Sequence, residues 1–172
     1  MIITKISNAS VYIDGTTDMI GRAAEIELPK VTVKQDEHKP LGLIGAVKLP
    51  GGLEPMEMTL KWDSFFTDVL RYRLNPYAAV QLQIRSNLEV YGPGGREDEV
   101  AVVLIARATW SEAAFGSIKG GEKMDGQDDT VQVTYLKLTV DGDVHFEVDI
   151  WNNIWTVGGV DLLATTRSNI GG

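Results

Sequence analysis

Residues 129–150, DTVQVTYLKLTVDGDVHFEVDI, carry the alternation that decides the fold. In 129–140 the odd-numbered residues are predicted to point inward up to Tyr135, and the even-numbered residues from Leu136 onward. This change in which positions face inward, a change of phase, indicates a β-bulge. In 143–150 the even positions are apolar and the odd positions are polar. The Asp-Gly pair in the turn between the two runs is typical of a hairpin. We therefore predict two antiparallel strands, each with one buried and one wet face.

The same period of two recurs along the chain. Residues 54–62 and 79–91 alternate, while 99–110 is apolar on both faces over its first half, as in a central strand covered on both sides. One flanking helix is predicted at 63–74, with Asp63 as its N-cap, and a second, short helix at the C-terminus. Residues 86–98 and 111–128 are predicted to be loops. The expected fold is mainly β: an antiparallel β-sandwich or partly open barrel.

One predicted strand is unusually long. Residues 127–140 would span roughly 46 Å at about 3.3 Å per residue, whereas a typical strand has about 5–6 residues. A strand of this length in a small domain leaves a long exposed edge. Joining copies of the chain edge to edge in a ring is one way to use such an edge.

Composition narrows the class of function. The 172 residues suit a single domain, 1–172, and the net charge of −8 with no cluster of Lys and Arg argues against a nucleic-acid binder. The chain has no cysteine, no apolar run long enough to span a bilayer and no signal peptide, so we expect folding in a cytoplasm. His38 and His145 are expected on the surface, and the acidic residues at 97–99 and 125–129 at solvated loop ends. No catalytic, cofactor or metal constellation is evident, so we do not expect an enzyme.

Residues 35–53, QDEHKPLGLIGAVKLPGGL, form a long connection with an apolar centre. Long connections in compact domains are often functional. Two interpretations stay open: a loop folded back on its own core, or an arm that reaches a neighbouring subunit. Trp62 is expected in the core, whereas Trp151 and Trp155 are candidates for a docking surface or for a sugar-stacking platform.

Motifs at both ends of the chain carry a resemblance to a known family. At the front these are Asn8, Asp14-Gly15, Gly21, Ala24 and 28–34; at the back they are 138–142, Glu147, Asp149, Asn152 or Asn153, Gly159, Val160, Asp161, Leu163, Arg167, Asn169, Ile170 and Gly171. With these residues the chain resembles the major tail tube proteins of contractile-tailed bacteriophages, the P2-like tail tube family, and the tube proteins of R-type pyocins.

The resemblance implies a structural protein of the virion that is assembled in the host bacterial cytoplasm. Its subunits would form hexameric rings stacked into an inner tail tube, with long strands joined in one β-barrel around the lumen. The chain itself would be the main partner, with sheath, tape-measure, baseplate and tail-terminator proteins as others. DNA would pass through without specific binding, past a polar wall that is neutral to acidic. Two alternatives to a phage tail tube stay open: the tube of an R-type bacteriocin-like particle and, less favoured, a β-sandwich carbohydrate-binding module.

The resemblance and the residue patterns together give two sets of candidate residues. The inter-subunit contact candidates are Lys39, Leu41, Leu43, Ile44, Trp151, Trp155, Val160, Leu163, Arg167 and Ile170. The lumen-facing candidates are Gln81, Gln83, Arg85, Asn87, Glu89, Asp143 and Glu147. Truncation after Gly159 is expected to impair tube assembly.

Overall fold

The computed structural model describes residues 2–15, 17–19 and 22–171. Gly21, one of the motif residues, lies outside these ranges. Within them the chain forms twelve strands and two short helices, and neither helix is long and apolar enough to cross a bilayer. The strands are β1 (Ile3–Ile13), β2 (Thr17–Asp18), β3 (Ala23–Glu27), β4 (Val33–His38), β5 (Val47–Leu53), β6 (Met56–Trp62), β7 (Val80–Gly92), β8 (Gly95–Ala113), β9 (Asp128–Val140), β10 (Asp143–Asp149), β11 (Ile154–Val157) and β12 (Val160–Asp161). The helices are α1 (Leu70–Arg73) and α2 (Ala164–Asn169).

Ten of these strands form one antiparallel sheet that curls into a partly open barrel. Its order is β12-β11-β10-β9-β8-β7-β1-β2. Strand β9 is the branch point, because its first half pairs with β6, which pairs with β3, and its second half pairs with β10. Residues of β1 and β3 line the two sides of a gap, which we call the β1–β3 gap. The predicted sandwich or partly open barrel is therefore confirmed.

The core lies inside this curled sheet. All four apolar residues of β6, Met56 to Trp62, are buried, as the alternation predicts. They pack against inward-facing residues of β1, β7, β8 and β9, which include Ile13, Leu82, Ala106 and Val131. Burial of apolar surface of this kind is the main favourable contribution to folding.

The change of phase in β9 is a β-bulge, as predicted. Arg107 of β8 pairs with Tyr135, whereas the next residue, Ala108, pairs with Val133, so Thr134 is the extra residue. The bulge lets Val133 and Leu136 both face the core. The flip comes one position earlier than expected, since Tyr135 lies on the face away from the core, where the prediction was wrong.

A second bulge, which the sequence did not reveal, lies in β10. Val144 pairs with Thr139 and Phe146 pairs with Leu138, so His145 is the extra residue and Val144 turns away from the core face. At the end of the strand Asp149 is buried and Ile150 is exposed, the reverse of the prediction. The Asp149 carboxylate accepts hydrogen bonds from the backbone N–H groups of Trp151 and Asn152, and this turn ends the strand.

The helix predicted at 63–74 is much shorter than expected. Only Leu70–Arg73 is helical. Asp63 does not cap a helix: its side chain binds Lys123, and its backbone N–H donates to the carbonyl of Arg22. These long-range contacts keep residues 63–69 non-helical, as a bend and a turn, against their local helical pattern. The short C-terminal helix is present as α2.

Parts of the predicted loops continue as strands. Within 86–98, β7 runs to Gly92, and β8 begins at Gly95 after a two-residue turn. The alternation of 79–91 already predicts most of the first strand of this hairpin, whereas the charged run 96–99 at the start of β8 has no apolar alternation that would predict a strand. Within 111–128, β8 continues to Ala113, and only 114–127 is irregular, with one bridge between Ser117 and Asp125.

A buried ion pair ties α1 to the sheet. The Arg73 guanidinium binds the Asp129 carboxylate through Nε and Nη2, each at 2.7 Å. The indole N–H groups of Trp62 and Trp110 donate to the same carboxylate at 2.8 and 2.9 Å. Asp129 is 0% exposed, so its assignment to a solvated loop end was wrong. The burial of Trp62 in the core was predicted correctly.

Candidate assembly surfaces

The connection at 35–53 is a β-hairpin that stands apart from the main sheet. Among the described strands, β4 and β5 pair only with each other, from Val33–Leu53 at the base to His38–Val47 near the tip. We call this hairpin the arm and residues 39–48 the arm tip. Leu41 and Ile44 in the tip are fully exposed, and Lys39 and Leu43 are exposed as well. The apolar centre therefore does not fold back on its own core.

The C-terminal segment docks on its own subunit. Arg167 of α2 binds Asp161 of β12 at 2.7 Å and donates to the carbonyl of Asn153 at 2.9 Å. The Arg167 guanidinium beside Asp161 lowers the pKa of that carboxyl group. Arg167, predicted as an inter-subunit contact, thus has its partners inside the chain. Val160 and Ile170 are exposed in the same segment.

An apolar groove lies between the base of the arm and this segment. We call it the base groove. Its volume is about 690 Å³. It is lined by Val33, Gln35, Pro50, Gly52 and Leu53 from the arm, and by Val148, Asp149, Ile150, Asn153, Ile154, Trp155, Leu162 and Leu163 from the end of the chain. Two contact candidates, Trp155 and Leu163, are brought together here. Trp151 is exposed and lies in the turn between β10 and β11.

Most of the lumen-facing candidates share one face of the main sheet, the face away from the core. The register sets Gln81, Gln83, Arg85, Asn87 and Glu89 opposite Arg107, Ile105, Val103, Ala101 and Glu99 of β8. Glu147 lies opposite Lys137 of β9, on the same face. Asp143 lies opposite Val140, which pairs with the core-face residue Val102, so Asp143 is on the other side. We call the shared side the outer face.

The outer face of β8 is less covered than predicted. Val103 and Ile105 are half-buried and Ala101 is exposed in the single subunit. The prediction of a strand covered on both sides is therefore wrong for one copy of the chain. These apolar residues lie among the polar side chains of β7 and β9.

Charges on the outer face nearly cancel. Among the described residues of β1 and β7 to β10, the register places five cations there, Lys5, Arg85, Arg96, Arg107 and Lys137, and five exposed or half-buried carboxylates, Glu89, Glu99, Glu112, Asp128 and Glu147. Sequence reasoning missed Arg107 and Lys137. The bulge at Thr134 turns Lys137 to this face, and the change of phase in the sequence contained that information.

Two arginines of this face, Arg85 and Arg107, lie over tyrosine rings. The Arg85 guanidinium lies 5.3 Å from the Tyr12 ring centroid, and that of Arg107 lies 5.6 Å from the Tyr135 ring centroid. The Tyr135 hydroxyl donates to Glu147 at 2.7 Å. Burial and this hydrogen bond raise the pKa of Tyr135 to about 12. On β7, a hydrogen bond from the Tyr91 hydroxyl lowers the pKa of Glu89.

The histidines do not form a reaction centre. His38 is exposed on the arm and His145 is exposed at the bulge in β10, as expected for surface residues. In the part of the chain that the structure describes, no three His, Asp or Glu side chains are grouped so that they could hold a metal ion.

Comparison with known proteins places the chain in a family. A family model described as phage tail tube protein FII matches residues 3–171. The tail tube protein of Escherichia phage P2 is 31% identical over 171 residues, which cover 97% of this chain and 96% of that protein. The major tail tube protein of Serratia phage KSP20 is 29% identical over 160 residues, 89% of this chain and 86% of its own length.

A solved structure shares the fold. It is the cryo-EM structure of an extracellular contractile injection system, a PVC sheath–tube complex in the extended state. The superposition has a TM-score of 0.56 at 13% sequence identity and covers 76% of this chain and 87% of that chain.

The relatives are structural components of the virion tail, and this agrees with the expectation that the chain is not an enzyme. The family match over nearly the whole length and the 31% identity to the phage P2 protein confirm the resemblance seen in the sequence motifs. The chain therefore belongs to the phage tail tube protein FII family and has the structural role of a phage tail tube protein.

Proposed function

We propose that this chain assembles into hexameric rings that stack into the inner tube of a contractile phage tail, through which DNA leaves the particle. The outer face of β1, β7, β8 and β9 lines the lumen. The observation that carries this proposal is the character of that face: it lies on four long strands, is polar and nearly neutral, and lies opposite the packed core.

The charges of the outer face favour its placement on the lumen. DNA carries one negative charge per ~1.7 Å of helix axis, and clustered cations would bind it tightly. The cations of the outer face are interspersed with carboxylates, as in the Lys137–Glu147 cross-strand pair. Such a wall neither binds the DNA backbone strongly nor repels it strongly.

The free edge of β1 supports ring closure. Among the residues that the structure describes, the register of β1 with β2 covers only Tyr12 and Ile13, and residues 3–10 have a strand partner on one side only, β7. Ile3 and Ile6 on this stretch are exposed. An unprotected apolar edge of this kind tends to pair with another chain. Six copies that each give four strands would form a wall of about 24 strands. At ~4.8 Å between neighbouring strands, this wall would have a circumference of roughly 115 Å and a diameter of about 37 Å, which the tilt of the strands would increase.

The other partners follow from the same proposal. The structural neighbour is part of a sheath–tube complex, and we propose that this tube is likewise enclosed by a sheath. Tape-measure, baseplate and tail-terminator proteins would contact its lumen and its two ends, with assembly in the host cytoplasm. The arm and the exposed residues of the C-terminal segment, Trp151, Val160 and Ile170, are the proposed contacts between subunits.

Negative-stain microscopy of the purified chain tests the proposal. Rings or tubes with a central channel are expected, with a baseplate extract added if nucleation is needed. Particles that package DNA would identify a phage tail rather than a bacteriocin. A monodisperse monomer that binds glycans would contradict the proposal. The structure gives that function little support, because Trp155, which would share the sugar-stacking platform with Trp151, packs against the core.

A further inference from the structure

The dipeptide Asp-Gly occurs three times in the chain, each time in a turn or an irregular segment. The pairs are Asp14-Gly15, Asp125-Gly126 and Asp141-Gly142. Because glycine has no side chain, it leaves its own backbone nitrogen unshielded. That nitrogen can attack the carboxyl group of the preceding aspartate and rearrange the backbone. How readily each pair reacts depends on how close the two groups are held.

In one of the three pairs the reacting groups are already in contact. The Gly126 backbone N–H donates to Asp125 Oδ1 at 2.8 Å, so the carboxyl group lies against the nitrogen that would attack it. Reacting atoms about 3–3.5 Å apart are in near-attack geometry. Both residues are exposed, and the nearest heavy atom to the position of a Cβ on Gly126 is the Gly116 Cα at 3.8 Å. Water can therefore reach this pair.

The other two pairs are tied to neighbouring strands. The Asp14 carboxylate accepts a hydrogen bond from the Gln81 N–H at 3.3 Å, and the Asp14 N–H donates to the Gln81 carbonyl at 2.8 Å. The Asp141 N–H donates to the carbonyl of Ala101 at 2.9 Å. Both aspartates have a φ of 51°, in tight turns between paired strands. In the part of the chain that the structure describes, neither carboxylate accepts a hydrogen bond from the glycine that follows it.

The same contact also occurs where the following residue has a side chain. The Ala9 N–H donates to Asn8 Oδ1 at 2.9 Å, and the Glu99 N–H donates to Asp98 Oδ1 at 2.8 Å. Ala9 and Glu99 are paired in the sheet, which restrains their backbone, and their Cβ atoms shield the nitrogen. Within the described ranges, the contact and a glycine coincide only at Asp125-Gly126.

We propose that Asp125-Gly126 is a site of spontaneous isoaspartate formation in the folded chain. First, the Gly126 nitrogen bonds to Cγ of the neutral Asp125 carboxyl group and loses its proton, while the Cγ–OH bond breaks and the hydroxyl leaves with that proton as water. The product is a five-membered succinimide. Next, the hydroxyl of a water molecule adds to the original backbone carbonyl carbon, the bond from that carbon to the nitrogen breaks, and the nitrogen takes the remaining proton. The chain then continues through the side chain. The net reaction is an isomerisation that needs no oxidant or reductant.

The rearranged backbone is longer by one methylene group, at a position where the loop is closely packed. The Ser117 N–H donates to the Asp125 carbonyl at 2.7 Å, and the Asp125 N–H donates to the Ser117 carbonyl at 3.3 Å. A Cβ on Gly116 would lie 2.5 Å from the Asp125 carbonyl oxygen, so the two backbones are in close contact. Two residues later, the Gln127 carbonyl accepts a hydrogen bond from the Trp62 N–H at 3.0 Å. Isomerisation is therefore expected to loosen the segment 114–127 and its attachment to β6.

Peptide mapping tests the proposal on the purified, folded chain. The chain is incubated at neutral pH and physiological temperature, and electron-transfer fragmentation of its peptides measures isoaspartate at each Asp-Gly pair. Isoaspartate is expected to form at residue 125 roughly tenfold faster than at residues 14 and 141. The same chain in urea is the matched control, because unfolding removes the three local geometries and should make the three rates similar. Asp125→Glu keeps the charge but would need a six-membered ring, so it should remove the product at this position.

Each outcome bears on the proposal. Equal rates at the three pairs in the folded chain, or a faster rate at residue 14 or 141, would contradict it. An excess at residue 125 that persists in urea would assign the effect to local sequence and contradict the role of the folded geometry. As a second readout, trypsin should cut the isoaspartate-enriched chain after Lys119 faster than it cuts the fresh chain or an equally aged Asp125→Glu variant. Equal cleavage would contradict the loosening of the segment. None of these measurements depends on the proposed tube, since all are made on the single chain.

Discussion

The buried pair Arg73–Asp129 gives the sharpest prediction about the single subunit. Asp129→Asn removes the charge from a group that accepts four hydrogen bonds, from Arg73 and from the indoles of Trp62 and Trp110. The Arg73 guanidinium, itself 4% exposed, is then left buried without a counter-charge. Removing one partner of a buried pair costs about 3–5 kcal/mol. For a domain of this size that corresponds to a fall in Tm of about 6–20 °C.

Urea denaturation of the monomer, followed by tryptophan fluorescence, measures the effect on the free energy of unfolding. The exposed neighbour Asp128→Asn is the matched control and should change stability by less than ~0.5 kcal/mol. The double variant Arg73→Met with Asp129→Leu should be more stable than Asp129→Asn, because it leaves no unpaired charge. A loss below ~1 kcal/mol in Asp129→Asn would refute the reasoning that the pair is buried and mutually dependent.

Three further predictions concern the outer face and the assembly surfaces. Absorbance titration should show one tyrosine ionising near pH 12, and Tyr135→Phe should remove that component; its persistence would contradict the Tyr135–Glu147 hydrogen bond. Because the pKa of Asp161 is lowered in the folded chain, its contact with Arg167 stabilises α2 above the usual aspartate pKa and is lost as the pH falls through the lowered value. The hydrogen-exchange protection factors of 164–169, which are corrected for the intrinsic pH dependence of exchange, should therefore fall on acidification. Asp161→Asn should make those protection factors insensitive to pH over the same range. Deleting 39–48 should abolish tube assembly and leave the circular dichroism spectrum and monomer Tm unchanged, whereas tubes of normal length would show that the arm tip is dispensable.

The sequence revealed the parts of the fold that depend on local alternation. Strand β6 was predicted residue by residue because its apolar side chains alternate without interruption. The bulge in β9 was predicted because a change of phase must be absorbed somewhere in the strand. The outer-face residues of β7 followed from the same periodicity, and the register of the sheet brings them together.

Features that depend on distant contacts stayed hidden. The helix at 63–74 had a good local pattern, but Asp63 and Arg73 bind residues far along the chain, and these contacts limit it to four residues. The burial of Asp129 depends on a partner 56 residues away. The arm was predicted as a projecting element, but not as a hairpin, because neither β4 nor β5 alternates. The base groove joins the arm to the C-terminal segment, and no local pattern could have shown that the two lie side by side.

The central claim is that copies of this chain form a tube whose lumen is lined by the outer face of β1, β7, β8 and β9. A cryo-EM reconstruction of tubes assembled from the purified chain tests it most directly. We predict stacked rings with six-fold symmetry, and Gln81, Gln83 and Arg85 directed into the channel. A ring of different symmetry, or a channel lined by β3 and β6 with the outer face directed away from it, would contradict the account.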